Sequence, residues 1–293
     1  MSLTCSAQRL ATGEPLAGTA PFARLWVMLE QSGPWGRDAL YDSHLERAVA
    51  DALSAAVDGR PARLGVIRSV GAHADVSSTS RTLLVARTDP GATWLAERTI
   101  DDVDELVRGS FDVDEALTAT GPPDSLPGTS RPGPSRALLV CTNAKRDQCC
   151  AVLGRPLAGA LASREWPQPT TVWETSHTSG HRFAPTFVSL PDGYLYGGPD
   201  AELATVAACR GRSSLEPRAQ VAELAVLREV GAKQPRPLDV SAEPDGSYRV
   251  RDGAADFTVT LTAVSAPDRP ESCGKTPVPA SWFTASVTSV ASA

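Results

Sequence analysis

Two apolar runs, FARLWVMLEQ at 22–31 and RALLVCT at 136–142, constrain this chain more than any other feature. Each has the length of a buried strand, far below the roughly 20 residues that cross a bilayer. Each also opens a similar series of elements. After the first run comes the turn-rich SGPWG. Leu45, Ala48, Val49, Ala52, Leu53, Ala56 and Val57 then recur at helical spacing until Gly59 stops them. Ser43 and Glu46 stand as a capping box before that helix. Strands are expected at 62–70, 81–88 and 93–100, with a short acidic helix over about 101–109. After the second run, 156–163 reads as a helix with Pro156 in its first turn, and 170–176 as a strand. FVSL and GYLYGG flank a Pro-Asp-Gly turn at 191–193, a hairpin signal. Asp200 is expected to cap a last helix through about Cys209.

Strand, helix, strand, hairpin and helix, written twice, make an α/β pattern in the order of a thioredoxin-like unit. The expected division is a first unit over 1–120, a linker or long loop at 121–135 (GPPDSLPGTSRPGPS), a second unit over 136–212 and a C-terminal segment over 213–293. In the last segment, Ser213 and Glu216 form a capping box for a helix through Val230, ended by Gly231. Alternating stretches such as YRVRD and DFTVTLTAV then predict a small β-rich tail.

With 293 residues, 42% of them hydrophobic, the chain can bury the core of two or three small domains. A formal net charge of −6 and no block of basic residues argue against a nucleic-acid partner. The N-terminus lacks the basic and apolar regions of a signal peptide, so the expected setting is the cytoplasm, with no membrane partner. The six cysteines, at 5, 141, 149, 150, 209 and 273, are not evenly spaced. In such a chain, clustered Cys and His favour metal or redox work over disulfides.

That cluster is Cys141 and Cys150, with eight residues between them, and His177 and His181, with three. Thiolate and imidazole suit a borderline-soft metal. Thr178, Gly180 and Pro185 make a continuous helix across the histidines unfavourable, so a turn presenting both rings is expected. Gly180 there permits positive φ or close approach of the backbone to a ligand. The bland alternatives are loop histidines bonded to carbonyls and a strand-end cysteine packed as a small hydrophobe. Cys5, Cys209 and Cys273 default to structural roles, and His44 and His73 to unremarkable ones.

At VCTNAKRDQCC, SHTSGHRFA and LPDGYLYG the chain resembles the sucrase/ferredoxin-like family, a branch of the thioredoxin-like [2Fe–2S] ferredoxins. The resemblance is densest over 136–211. It implies a [2Fe–2S] cluster held by Cys141, Cys150, His177 and His181. Cys149 doubles the second ligand; spacing favours Cys150 without excluding its neighbour. Lys145, Arg146 and Arg182 are candidates to offset the charge of a reduced cluster. No carboxylate pair of the glycosidase kind supports the "sucrase" of the family name.

Two thiolates and two neutral imidazoles bring less negative charge than four thiolates, which raises a cluster's potential. The expected role is therefore one-electron transfer or redox sensing rather than catalysis on a substrate of its own. A flavin- or nicotinamide-linked reductase would serve as donor, to an acceptor the sequence does not name. The alternatives are a structural zinc site on the same four residues, or a thiol oxidoreductase using Cys149 and Cys150.

Overall fold

The computed structural model describes residues 4–74, 80–109, 111–131 and 133–290. In chain order the elements are helix α1 (Cys5–Thr12), strand β1 (Leu25–Glu30), α2 (Arg47–Val57), β2 (Ala62–Ser69), β3 (Arg81–Arg87), β4 (Trp94–Ile100), α3 (Glu105–Arg108), α4 (Val113–Thr118) and β5 (Thr129–Ser130). Next come β6 (Arg136–Cys141), α5 (Gln148–Ala162), β7 (Thr170–Thr175), β8 (Thr186–Leu190), β9 (Tyr194–Gly197), β10 (Cys209–Arg212) and α6 (Pro217–Glu229). Strands β11 (Asp239–Ala242), β12 (Tyr248–Asp252), β13 (Ala255–Arg269) and β14 (Val278–Val290) complete the chain, which is α/β as expected. Two compact units result. One holds Ala23–Thr178 with Phe187–Gly193, the other Met1–Phe22, Ser179–Thr186 and Tyr194–Ala293.

In the first unit the strands lie in the order β8-β6-β7-β2-β1-β3-β4-β5. β1 leads through α2 into the parallel β2, and β3 runs antiparallel to β1. The same order recurs: β6 leads through α5 into the parallel β7, and β8 runs antiparallel to β6. The two sets join where β2 and β7 pair antiparallel. β1 is apolar from Leu25 to Leu29 because both of its faces are covered there. Leu25, Val27 and Leu29 pack with Val49 and Leu53 of α2 and with Leu83 and Val85 of β3. Trp26 and Met28 are buried as well. Each such side chain contributes about 1.5–3 kcal/mol on leaving water, and this burial drives the unit's folding.

Several local expectations are corrected. α2 starts at Arg47 with Glu46 at its cap position, but Glu46 makes no side-chain cap. Its carboxylate instead accepts from Arg81 Nη2 at 2.9 Å, while the Ser43 hydroxyl accepts from Leu45 N. An ion pair with β3 has outcompeted the capping box. α5 begins eight residues earlier than expected, at Gln148, because Asp147 caps it by accepting from Cys149 N. Pro156 therefore sits inside the helix rather than in its first turn. The Pro- and Gly-rich 121–135 falls within the first compact unit. Leu126 is buried in the core there, and Arg98 donates to the carbonyls of Leu126, Pro127 and Gly128.

In the second unit β9 and β10 pair antiparallel, and α6 packs on β10, β11, β12, β13 and β14. α6 starts with Pro217 at its first position rather than with the Ser213–Glu216 box. It is buried on most sides: Gln220 exchanges hydrogen bonds with the Ala20 backbone, and Glu223 pairs with Arg212 at 2.8 Å. The expected helix from Asp200 to Cys209 is absent. A single 3-10 turn, Ala201–Leu203, ends at Ala204 (φ 50°), and Cys209 already belongs to β10. Tertiary pairing with β9 has overridden a weak helical pattern. The tail forms a sheet in the order β11-β12-β13-β14, as its alternation predicts.

Candidate metal centre

Parallel pairing of β6 and β7 sets Cys141 opposite Thr175. The loops that leave the two strands therefore start side by side. One carries 142–147 into α5; the other begins with Ser176, His177 and Thr178. Thr142 N donates to Thr175 O at 3.2 Å, which ties the two loop starts together. Asn143 shapes the first loop. Its carbonyl accepts from Asp147 N, its side-chain oxygen from Lys145 N, and its amide donates to Gly36 O at 3.0 Å. The chain then turns into α5, whose first turn returns Cys150 to Cys141.

Both thiols are buried. Cys150 hydrogen-bonds Cys141 and so pulls the Cys141 thiol below its ordinary range. Burial opposes this, but main-chain N–H groups of Thr178 and Asn143 and the Thr178 hydroxyl add to the stabilisation of a Cys141 thiolate. The same hydrogen bond, reinforced by burial, pushes Cys150 well up. A positive charge lies within electrostatic reach of Cys141. Burial draws the Arg63 guanidinium down to about 10, with repulsion from Arg146 adding and attraction to Cys141 opposing.

Beneath this loop pair lies a buried ion network that the sequence did not reveal. Glu174 accepts from Arg68 Nε and Nη2 (3.1 and 2.9 Å), Thr142 Oγ1 (2.7 Å) and Gly71 N (3.1 Å). His73 Nε2 lies 3.0 Å from the same carboxylate, so His73 is not the unremarkable loop residue expected. Burial raises the Glu174 pKa, but the Thr142, Gly71 and Arg68 donors outweigh it and the carboxyl lies below its usual range. A cavity of about 200 Å³ opens here, lined by Trp35, Arg68, His73, Lys145 and Arg155 among others. Only the position of Glu174, three residues before His177, could have pointed to it.

The structure brings Cys141 and Cys150 together and places His177 one residue from the Thr178 amide that serves Cys141. His181 opens a 3-10 turn in the second unit, directly after Gly180. Ser179 (φ 64°) and Gly180 (φ 71°) are both left-handed, so the histidines flank a turn and not a continuous helix, as expected. A Cβ at Gly180 would stand 2.5 Å from Arg210 Nη2. Cys149 holds the capped start of α5 beside Asp147, while Cys150 makes the bond to Cys141. Arg182 does not hold spare charge. It pairs with Glu14 at 2.9 Å, which Arg269 also grips at 2.8 Å. Among the described residues, no helix is long and apolar enough to cross a membrane.

Residues 16–212 match the family model described as sucrase/ferredoxin-like. The chain belongs to that family. The match spans both strand–helix–strand sets and every residue of the candidate centre. No curated protein and no solved structure matches this sucrase/ferredoxin-like chain.

Proposed function

We propose that this family member carries a [2Fe–2S] cluster and works in one-electron transfer or redox sensing. The hydrogen-bonded pair Cys141 and Cys150, served by the Asn143 and Thr178 amides, is the observation that carries this reading. Amides aimed at a buried sulfur favour a thiolate, the form that ligates iron, and hydrogen bonds to ligand sulfurs are a known control on cluster potential. His177 follows within the adjoining loop, and only three residues separate it from His181. We assign Cys141, Cys150, His177 and His181 as ligands on the donor chemistry and this spacing. The two strand–helix–strand sets are read as thioredoxin-like units.

A [2Fe–2S] cluster supplies a single-electron couple. The chain's own residues set its conditions. Two thiolates and two imidazoles contribute two negative charges where four thiolates would contribute four. Arg63 lies within electrostatic reach of Cys141 and favours the more negative, reduced state. The Asn143 and Thr178 N–H groups do the same by donating to sulfur. Imidazole-ligated centres of the Rieske type lie at roughly −150 to +300 mV, against about −400 mV for all-cysteine plant-type centres. That range suits a flavin- or nicotinamide-linked reductase as electron donor in a cytoplasmic setting.

The zinc reading uses the same donors. The thiol oxidoreductase reading uses Cys149 and Cys150, which do not form the C-x-x-C motif of such enzymes. Absorption and electron paramagnetic resonance spectra of anaerobically purified protein test the proposal. Visible bands that bleach with dithionite, with a paramagnetic reduced state, are expected. Colourless protein containing stoichiometric zinc and no iron refutes it.

A further inference from the structure

Cys5 and Cys273 stand 268 positions apart in sequence, yet their sulfurs lie 3.4 Å from each other. Both belong to the second compact unit. Cys5 is the first residue of α1, and its main-chain N–H donates to the Cys273 sulfur at 3.5 Å. Cys273 sits in the turn between β13 and β14, where Lys275 N donates to Ser272 O and Gly274 adopts φ 76°. The approach is held by a second tether. Glu14, just past the end of α1, is gripped by Arg269 at the end of β13 through two bonds of 2.8 and 3.0 Å. Arg182 binds the same carboxylate. The two segments that carry the cysteines are thus aligned by a buried ion triad, independently of the sulfurs.

We propose that Cys5 and Cys273 are a reversible disulfide site, oxidised by thiol–disulfide exchange with a low-molecular-weight disulfide. The proposal does not depend on the metal centre. Bond formation has to draw the sulfurs from 3.4 Å to about 2.05 Å. Access sets the order of events: Cys273 is half-buried, whereas the other five cysteines are buried. The Cys273 thiolate attacks one sulfur of the small disulfide, forming a mixed disulfide and releasing one small thiolate. Cys5 then loses its proton and attacks the Cys273 sulfur, expelling the second small thiol. Two protein thiols are oxidised by two electrons to one disulfide, and the small disulfide is reduced to two thiols. In a reducing compartment such a bond is a transient, redox-responsive one. It would close a loop over nearly the whole chain.

The test exposes the purified, reduced, full-length protein to oxidised glutathione, alkylates it, and examines it by peptide mass spectrometry and non-reducing electrophoresis. The expected result is a crosslinked peptide pair containing Cys5 and Cys273, with a faster-migrating band that dithiothreitol reverses. Cys273→Ser should leave Cys5 alkylated and abolish the fast band. Cys5→Ser should instead trap the glutathione adduct on Cys273. Wild-type protein in which Cys273 keeps its adduct while Cys5 is alkylated would overturn the proposal, as would alkylation of both. Because the crosslink is read in the wild-type protein, misfolding of either variant does not rescue a negative result.

Discussion

Gly154 of α5 lies against the main-chain carbonyl of Cys141, so close that a Cβ at residue 154 would stand 2.1 Å from that oxygen. The helix that returns Cys150 to Cys141 can approach β6 only because residue 154 has no side chain. Gly154→Ala should gain about 1 kcal/mol of helix propensity. Against this, the overlap is with backbone, which cannot rotate away, and overpacking typically costs about 1–3 kcal/mol. The overlap should win. A lowered urea midpoint measures the loss, and an unchanged or raised midpoint would contradict the packing.

Glu174→Gln should destabilise the protein by roughly 3–5 kcal/mol, because Arg68 would be left as a buried, uncompensated charge. The pH dependence follows from the depressed carboxyl. Its contribution is complete above the unfolded value of about 4.3, and is lost as pH falls through the lower folded value. Denaturant titrations from pH 7 down into the acid range should therefore show wild type losing stability faster than the variant.

If the proposed ligands hold, His177→Cys adds a thiolate to the set and should lower the potential by roughly one to several hundred mV. A redox titration followed by electron paramagnetic resonance measures it. An unchanged potential with the cluster retained would remove His177 from the ligand set.

Gly180→Ala puts a side chain in a left-handed residue between the two histidines, at a cost of about 1–2 kcal/mol for conformation alone. The added methyl also meets Arg210 and Phe183. Thermal unfolding should report the loss, and a wild-type melting temperature would show that the turn tolerates a side chain.

Leu53→Ala tests the first unit's core. The side chain is almost fully buried under β1, and truncation should cost about 2–5 kcal/mol, read as a lower urea midpoint with an unchanged slope.

Local chemistry was enough to reveal much of this molecule. The apolar runs at 22–31 and 136–142 are strands because a buried parallel strand needs apolar residues on both faces. The Thr178–Gly180 stretch breaks helix by composition, and the tail alternates as a half-exposed sheet must. The Cys and His spacing is what singles out Cys141, Cys150, His177 and His181 as the proposed ligands. Tertiary structure decided the remainder. Glu46 left its expected cap for Arg81, and 200–209 gave up a helical pattern for pairing with β9. Arg182 was claimed by Glu14, and His73 by Glu174. Cys5 met Cys273 across 268 positions. Each of these outcomes depends on a partner distant in sequence. Charge pairs, strand pairing and sulfur contacts act over a few ångströms of space, and periodicity along the chain carries no record of which distant residue will arrive there.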